Sequence, residues 1–398
     1  MQEGRYMIFE GIHFLTGQPI RINVEKKHIK TVETITESIA STKDCIEKKI
    51  LPYICPGFID IQINGYAGID YSSEGLDSSK IERIIRSIAI SGTTRHLATI
   101  ITSSRKRIVE NCAVIAAAAT QNLLIKEAIA GIHVEGPYIS PEEGPRGAHD
   151  PKFIRKPDYS EFREWQDAAQ GMIRIVTLAP EIEGALDFIE KIVADGVIAA
   201  IGHTSASPEI IRDAISAGAS LSTHLGNGSH SLLPRLKNYL WEQLGEDRLM
   251  ASIIADGFHL PDSVLRVFLR AKGKERLILI SDAAFLAGSS PGVRNWGDIS
   301  VQVHSDGHLS LEGTEYLAGA GHLLNRGIAQ FAAATGVPLT EAVSLCTVNP
   351  ARLLRLSEEY CDFVPGNFAN ISRFRRLEGS SDLVIETCMI AGELIYGN

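Results

Sequence analysis

Short apolar runs rich in β-branched residues alternate with helix-like segments through the middle of the chain. We interpret the apolar runs as strands, and they are Phe58–Ile63, Thr94–Ile100, Gly131–Glu135, Ile173–Leu178, Val197–Gly202, Ser220–His224, Ala251–Ala255 and Arg276–Ser281. The helix-like segments include Ser79–Ser91, Arg107–Thr120, Gly184–Ala194, Pro208–Ala217 and Pro261–Ala271. This alternation predicts parallel pairing with right-handed crossovers, and eight such units close a (β/α)8 TIM-like barrel.

Both ends of the chain have a different pattern. Apolar and polar residues alternate in short pieces near the N-terminus and again from about Asn367 to Ile395, which is typical of small antiparallel strands. We therefore predict a small β-sandwich domain built from residues 1–55 together with 356–398, and a barrel domain over residues 56–355. The overall fold class is thus α/β, with a terminal β domain attached to the barrel.

A doubly wound open sheet is the alternative arrangement for the middle of the chain. Many such sheets bind a dinucleotide through a glycine-rich motif after the first strand. No such motif follows any of the predicted strands. The barrel is therefore the better prediction.

Composition and charge exclude several classes of binding partner for this chain. The formal net charge of −9 argues against sequence-independent binding to nucleic-acid phosphates. The six cysteines are scattered without a CxxC motif, a distribution typical of reduced thiols in a cytosolic protein. We read no signal peptide and no apolar run long enough to span a bilayer. These observations predict a soluble cytoplasmic protein that binds neither nucleic acid nor membrane.

The ends of the predicted strands carry the chemistry. In a barrel, the C-terminal ends of the strands converge on one mouth, where active sites lie. Six of the eight strands bring a metal-ligand or amide side chain to that level, and these residues are Gln62, Asn64, Glu135, His203, His224, His259 and Asp282. A lone histidine at a strand end is more often structural, but this combination predicts a site.

The residue types match the needs of a catalytic metal. Zinc binds imidazole nitrogen and carboxylate oxygen, and a catalytic ion has three protein ligands and one open position for water. Glu135, His203 and His224 supply such a set. Water bound to the ion loses its proton near neutral pH. Asp282, a carboxylate outside the ligand set, can accept that proton and pass it to a leaving nitrogen.

A series of motifs makes a family resemblance specific. In chain order they are Pro56-Gly57-Phe58-Ile59-Asp60, His133-Val134-Glu135-Gly136-Pro137, Gly202-His203-Thr204, Thr223-His224-Leu225-x-Asn227, Ile254-Ala255-Asp256-Gly257-x-His259 and Ser281-Asp282-Ala283. The series resembles that of the N-acetylglucosamine-6-phosphate deacetylases, within the amidohydrolase superfamily. The resemblance extends from about Pro56 to Arg352.

The resemblance implies a role for each matching residue. It implies that Glu135, His203 and His224 bind the metal and that Asp282 is the catalytic acid and base. It also implies that His149 polarises the acetyl carbonyl. The other positions that it implies in substrate binding are Ala148, Asn227, Gly228, Arg235, His259 and the turn Leu317, Ala318 and Gly319. In the family, the arginine matched by Arg235 reaches the substrate phosphate across a dimer interface, so a homodimer is expected.

The first strand predicts a single metal ion. Many members of the superfamily have His-x-His on this strand, whereas this chain has Gln62-Ile63-Asn64. Neutral amides are weaker ligands than imidazole, and some of the deacetylases share the Gln-x-Asn pattern. We expect one divalent ion per chain, zinc by preference, with Fe²⁺, Co²⁺ or Mn²⁺ as alternatives.

Two departures from the family pattern bear on the substrate. The chain has His224-Leu225-Gly226-Asn227-Gly228-Ser229 where the family commonly has His-Leu-Tyr-Asn-Ala-Met, and the neighbours of Arg235 also differ. The favoured reaction is hydrolysis of N-acetylglucosamine 6-phosphate to glucosamine 6-phosphate and acetate. The alternatives are a deacylase for an unphosphorylated N-acyl amino sugar or an N-acyl amino acid, and a non-catalytic barrel that binds a partner.

Overall fold

The computed structural model describes residues 6–35, 51–296, 299–357, 360–377 and 379–397. In chain order, the strands are β1 Tyr6–His13, β2 Pro19–Glu25, β3 His28–Thr34, β4 Tyr53–Cys55, β5 Phe58–Ile63, β6 Gly65–Tyr66, β7 Ile69–Asp70, β8 Thr93–Ile101, β9 Ile129–Glu135, β10 Ile173–Leu178, β11 Ile198–Ile201, β12 Leu221–Ser222, β13 Met250–Ile254, β14 Leu277–Ile280, β15 Gly292–Trp296, β16 Ile299–Val303, β17 Leu309–Leu311, β18 Ile371–Arg376, β19 Leu383–Ile390 and β20 Glu393–Gly397. The α-helices are α1 Ser78–Ile88, α2 Arg105–Gln121, α3 Leu123–Ala128, α4 Tyr159–Ala168, α5 Ala185–Ala194, α6 Pro208–Ser216, α7 Tyr239–Gly245, α8 Asp262–Lys272, α9 Leu324–Thr335, α10 Leu339–Ser344 and α11 Val348–Leu353.

The eight predicted strands form one parallel sheet, which confirms the barrel. Its order is β5-β8-β9-β10-β11-β12-β13-β14, so each strand lies beside its neighbour in sequence. All six residues of β5 and five of the six in β10 are buried. Burial on both faces is expected of parallel strands covered by helices, and it explains why these runs are rich in β-branched apolar residues.

The first and last strands of the sheet meet and close the barrel. A parallel bridge joins Ile63 to Ala283, and the backbone N–H of Asp282 donates to the carbonyl of Gln62 at 3.0 Å. The Asp60 carboxylate accepts from the backbone N–H of Ser281 at 3.2 and 3.3 Å. Burial raises the pKa of Asp60 to about 7. The chain that follows β14 is therefore tied directly to the first strand.

The outer helices begin and pack as their sequences predict. Asp77, Ser104 and Ser207 precede α1, α2 and α6, and each side chain accepts a hydrogen bond from a backbone N–H of the first turn. The buried residues of α1, at positions 81, 84, 85 and 88, are spaced so that they share one helical face. These isoleucines belong to the main apolar cluster between helices and barrel strands.

A second sheet is assembled from both ends of the chain, as predicted. Its seven strands have the order β20-β19-β18-β4-β1-β2-β3. Most neighbours are antiparallel, and only β1 and β4 pair in parallel. Strand β4 lies between the N-terminal strands and β18, so it joins the two halves of this sheet immediately before the barrel begins.

A small antiparallel sheet follows the last barrel strand and was not predicted from the sequence. It consists of β15, β16 and β17. Residues 284–318 contribute a separate apolar cluster beneath it, including Leu286, Val301 and Leu309. This three-stranded sheet lies between β14 and α9 in the chain and, as described below, forms one wall of the candidate site.

The described residues also bear on the cysteine and membrane predictions. Cys55, Cys112, Cys346 and Cys388 are free thiols, and Cys45 lies outside the described residues. Across the described ranges, none of the helices is long and apolar enough to cross a bilayer.

Candidate active site

A cavity of about 230 Å³ opens at the C-terminal mouth of the barrel. Most of the residues predicted for the site line it, and these are Asn64, Glu135, Ala148, His149, His203, His224, Asn227, Gly228, His259, Asp282, Leu317 and Gly319. The structure thus brings together side chains that are up to 255 positions apart in sequence, because parallel strands end at the same edge of the sheet.

Three buried donor atoms meet at the bottom of the cavity. The Nε2 atoms of His203 and His224 lie 3.2 and 3.0 Å from Oε1 of Glu135, and 3.1 Å from each other. Ligand atoms around a tetrahedral zinc ion with bonds of about 2.0–2.1 Å are roughly 3.3 Å apart. The spacing and the chemistry of this donor set therefore fit a divalent metal ion.

A fourth nitrogen lies beside the same three atoms. Nε2 of His149 is 3.3 Å from Nε2 of His203, and one ligand atom each from Glu135, His149 and His203 lie within 4.8 Å of one another. Glu135 and His203 are thus common to two triads, which differ in whether His149 or His224 completes them. The His224 triad has the shorter separations, since His224 approaches both of the shared residues within 3.1 Å.

Electrostatics favours a charged carboxylate in this cluster. Burial alone would raise the pKa of Glu135, but hydrogen bonds and charge attraction from His203 and His224 outweigh it and hold the pKa well below its ordinary value. Burial and the nearby His203 lower the pKa of His149 to about 3, so its imidazole is neutral at neutral pH. A divalent ion requires its carboxylate ligand to be ionised, and Glu135 meets this requirement.

The backbone is strained where the site residues leave their strands. His203, His224 and Asp282 have φ angles of 51°, 30° and 49°, in the left-handed region that residues with a Cβ rarely adopt. Such strain is costly and persists only where the surrounding structure enforces it, often at functional sites. Here it turns side chains that follow β11, β12 and β14 into one cavity.

Neighbouring groups fix the orientation of the imidazoles. Nδ1 of His203 is 2.7 Å from the carbonyl oxygen of Pro145, so Nδ1 carries a proton and Nε2 is the nitrogen that would face a metal ion. Nδ1 of His259 is 2.8 Å from Oδ2 of Asp256. Burial would raise the pKa of Asp256, but the hydrogen bond and charge of His259 outweigh it and lower the pKa to about 2. His259 therefore faces the cavity through its other nitrogen.

The two amides of the first strand hold carboxylates. Nε2 of Gln62 donates to Oε1 of Glu135 at 2.8 Å, and Nδ2 of Asn64 donates to Oδ1 of Asp282 at 2.8 Å. The Asp282 carboxyl is buried, and burial together with the negative charge of Glu135 raises its pKa to about 6. A carboxyl that titrates near neutral pH is suited to accept and return a proton.

Three of the predicted residues lie outside the cavity lining. Gln62 sits behind Glu135, and Ala318 is buried in the apolar cluster under β15–β17. Arg235 is exposed on the loop before α7, between the exposed side chains of Leu232 and Leu236. Within this chain, Arg235 therefore does not contribute to the lining of the cavity.

Sequence reasoning missed several residues that line the cavity. Ile101 and Ile254 are the last residues of barrel strands. The sequence analysis considered only polar side chains at strand ends, so it found Glu135 and passed over these two isoleucines. Trp296 belongs to the unpredicted β15–β17 sheet, and no motif indicated it. Thr102 supports the site from behind, with its hydroxyl 2.8 Å from Nδ1 of His149.

Comparison with known proteins defines the class to which this fold and site belong. Residues 53–395 match the model of the amidohydrolase family, so the chain belongs to that family. It is accordingly a hydrolase that acts on amide C–N bonds.

Individual relatives narrow the comparison. The N-acetylglucosamine-6-phosphate deacetylase of Bacillus subtilis is 31% identical over 354 residues, which cover 88% of this chain and 87% of that protein. The N-acetylgalactosamine-6-phosphate deacetylase of Escherichia coli O157:H7 is 26% identical over 93% of this chain and 95% of that protein.

A solved structure matches the fold over almost the whole chain. It is the N-acetyl-D-glucosamine-6-phosphate deacetylase of Mycobacterium smegmatis in complex with N-acetyl-D-glucosamine-6-phosphate. The TM-score is 0.83 at 28% identity, and the match covers 98% of this chain and 100% of that chain.

Proposed function

We propose that this protein hydrolyses N-acetylglucosamine 6-phosphate to glucosamine 6-phosphate and acetate. The amide C–N bond breaks, the hydroxyl of water joins the acetyl carbon, and the amine receives a proton. The observation that carries the proposal is the convergence of Glu135, His203, His224 and Asp282 in one buried cavity. The names of relatives that match over most of the chain support the same substrate.

One divalent ion per chain, zinc by preference, is held by Glu135, His203 and His224. When bound, such an ion lowers the pKa of a water molecule and polarises a carbonyl oxygen. Gln62 and Asn64 turn their amide NH2 groups toward carboxylates, and their neutral amide oxygens are weaker ligands than imidazole, which supports a single ion. The short separations of the His224 triad support His224 over His149 as the third ligand.

Asp282 transfers the proton. Its carboxyl lies in the cavity and is not part of the ligand set, and Asn64 occupies Oδ1 with a hydrogen bond, which directs the proton to Oδ2. The raised pKa makes the carboxyl a better base than an exposed aspartate, because the product of the transfer is a neutral, buried acid. Asp282 then returns the proton to the leaving nitrogen.

His149 and His259 orient the substrate. Nδ1 of His149 is hydrogen-bonded to the Thr102 hydroxyl, so Nε2 faces the cavity, where we place the acetyl oxygen. His259, held by Asp256, presents its remaining nitrogen to a sugar hydroxyl. Other sugar contacts come from residues that also line the cavity, and these are Ala148, Asn227, Gly228, Leu317 and Gly319.

An unphosphorylated N-acetyl amino sugar is the second candidate substrate. One observation favours it, since the described lining of the cavity includes no lysine or arginine to neutralise a phosphate. Arg235 of a second copy in a homodimer would supply that charge, and the exposed apolar side chains beside it support an interface there. We place this homodimer in the cytoplasm, in keeping with the free thiols of Cys55, Cys112, Cys346 and Cys388.

A hydrolysis screen with and without the 6-phosphate separates these substrates. Purified protein is supplied with Zn²⁺ and tested on N-acetylglucosamine, N-acetylgalactosamine and their 6-phosphates, with acetate release as the readout. A clear preference for N-acetylglucosamine 6-phosphate is expected. Equal turnover of the phosphorylated and free sugars would favour the second candidate, and no turnover of any of them would refute the deacetylase proposal.

A further inference from the structure

One wall of the cavity is apolar and comes from the segment that follows the last barrel strand. The residues of this wall are Ala284, Trp296, Leu317 and Gly319. The floor, in contrast, consists of buried polar groups such as Glu135 and His224. A pocket of this type orients a ligand through its few polar groups and gains affinity from its apolar wall.

Trp296 is the largest side chain of this wall, and its neighbours hold it in place. It ends β15 and pairs with Ile299 of β16. Its ring packs edge-to-face against Phe285, with the ring centroids 5.3 Å apart and the planes at 81°. This is a favourable arrangement for two aromatic rings. The indole is therefore fixed against the small sheet and its apolar cluster before any ligand binds.

A glycine in the facing turn packs closely on Ala284 and lies beside the indole. Gly319 has a φ angle of 78°, and a Cβ at this position would lie 2.9 Å from Cβ of Ala284 and 3.6 Å from Cζ3 of Trp296. Only glycine combines this backbone conformation with so close an approach. The turn therefore lies directly against the tryptophan ring and completes a continuous wall.

The depth of Trp296 indicates which part of a substrate it meets. The scissile amide must reach the floor, because the groups that hold the ion and move the proton are there. Trp296 is partly exposed, whereas the proposed ligands Glu135, His203 and His224 are buried. The amide nitrogen of the substrate carries an acetyl group and a sugar. The acetyl group extends only one methyl beyond the carbonyl, so the sugar is the part that extends toward solvent and reaches Trp296.

We propose that Trp296 is a specificity-determining residue whose indole packs against the apolar face of the hexosamine ring. This inference rests on the proposed deacetylase function and extends it to a residue that no motif indicated. Its N–H bonds to no other residue in the part of the chain that the structure describes, so it remains a donor for a sugar hydroxyl.

The test compares Trp296→Ala and Trp296→Phe with Tyr316→Ala. Tyr316 is an exposed aromatic residue that precedes the same turn but does not line the cavity. We expect Trp296→Ala to raise KM for N-acetylglucosamine 6-phosphate by about tenfold or more, as burial of a large apolar side chain predicts. It should change kcat little, since the contact is the same in ground and transition states. Tyr316→Ala should leave KM unchanged.

Fluorescence provides a readout that does not depend on turnover. The chain has three tryptophans, of which Trp165 is fully buried and Trp241 lies exposed on α7. Addition of the product, glucosamine 6-phosphate, should change the tryptophan emission of the wild type and of Trp241→Phe. The same addition should leave the emission of Trp296→Phe unchanged.

Four results would overturn the inference. An unchanged KM in Trp296→Ala would do so and would leave the deacetylase proposal standing. An equal rise in KM in Tyr316→Ala would show that only the packing of the small sheet matters. A new preference of Trp296→Ala for an N-propionyl over an N-acetyl sugar would place the indole against the acyl group. A wild type that neither hydrolyses nor binds any amino sugar would refute both proposals.

Discussion

Substitution of Gly228 by alanine should weaken metal binding without removing any ligand. Gly228 has a φ angle of 54°, and a Cβ at this position would lie 2.8 Å from Nδ1 and 3.0 Å from Cε1 of His203. Ordinary van der Waals contact begins at 3.4 Å, so the imidazole must move by about 0.6 Å. The same Nδ1 is hydrogen-bonded to the carbonyl of Pro145 at 2.7 Å, which restricts that movement.

Two effects of this substitution can be separated by size. An alanine in the left-handed region costs roughly 1–2 kcal/mol of stability wherever it occurs. Displacement of a ligand from its supporting hydrogen bond typically lowers metal affinity by about 10- to 100-fold. Only the loss of metal affinity depends on the contact with His203. A control variant that carries the backbone cost alone therefore separates it from the loss of stability.

Gly196→Ala is that control. Gly196 has a φ angle of 83° and nothing within 4 Å of an added Cβ, so the variant carries the backbone cost alone. Both variants are dialysed against a graded series of chelator, and the bound metal is measured by elemental mass spectrometry. Gly228→Ala should lose its ion at a lower chelator concentration than Gly196→Ala. Equal retention in the two variants would show that His203 is not a ligand or that its ring tolerates the shift.

Three further predictions concern single side chains. Asp282→Asn should keep near-normal metal content. Its kcat should fall by roughly 10²–10⁴-fold, the usual contribution of general acid and base catalysis. Near-wild-type turnover would show that Asp282 does not transfer the proton. Arg235→Ala should raise KM for the phosphorylated sugar by about ten- to a hundredfold, which corresponds to the free energy of a charge-assisted contact. KM for the unphosphorylated sugar should not change. Equal losses of activity on both sugars would contradict a phosphate contact. Asp60→Asn should become more stable relative to wild type as the pH rises. Burial raises the pKa of Asp60 from 3.8 to about 7, so the wild type binds this proton more tightly when folded and loses stability over that interval. A difference in Tm between the two proteins that does not change from pH 4 to pH 7 would contradict the raised pKa.

The sequence by itself determined the barrel. Buried parallel strands are rich in β-branched apolar residues, so each of the eight appears as a short run, and all eight lie within two residues of their predicted bounds. Strands such as Phe58–Ile63 were predicted without error because Gly57 and the following polar residues mark both ends. Local patterning suffices here, since every strand has the same surroundings.

The same regularity made much of the candidate site predictable. Once eight parallel strands are assumed, their C-terminal residues must share one mouth, so Glu135, His203, His224 and Asp282 could be grouped from their positions alone. The sequence does not, however, indicate the left-handed backbone that turns the last three inward. That conformation is imposed by contacts with neighbouring strands.

Only the tertiary structure decided the remaining features of the site. Gln62 and Asn64 were grouped near the metal by sequence, yet their partners are carboxylates 73 and 218 positions away. Arg235 has the family spacing but is exposed, and Trp296 enters the wall from a small sheet with no recognisable motif. These outcomes depend on how loops pack against one another after the barrel has closed, and such long-range contacts leave no periodic pattern in the chain.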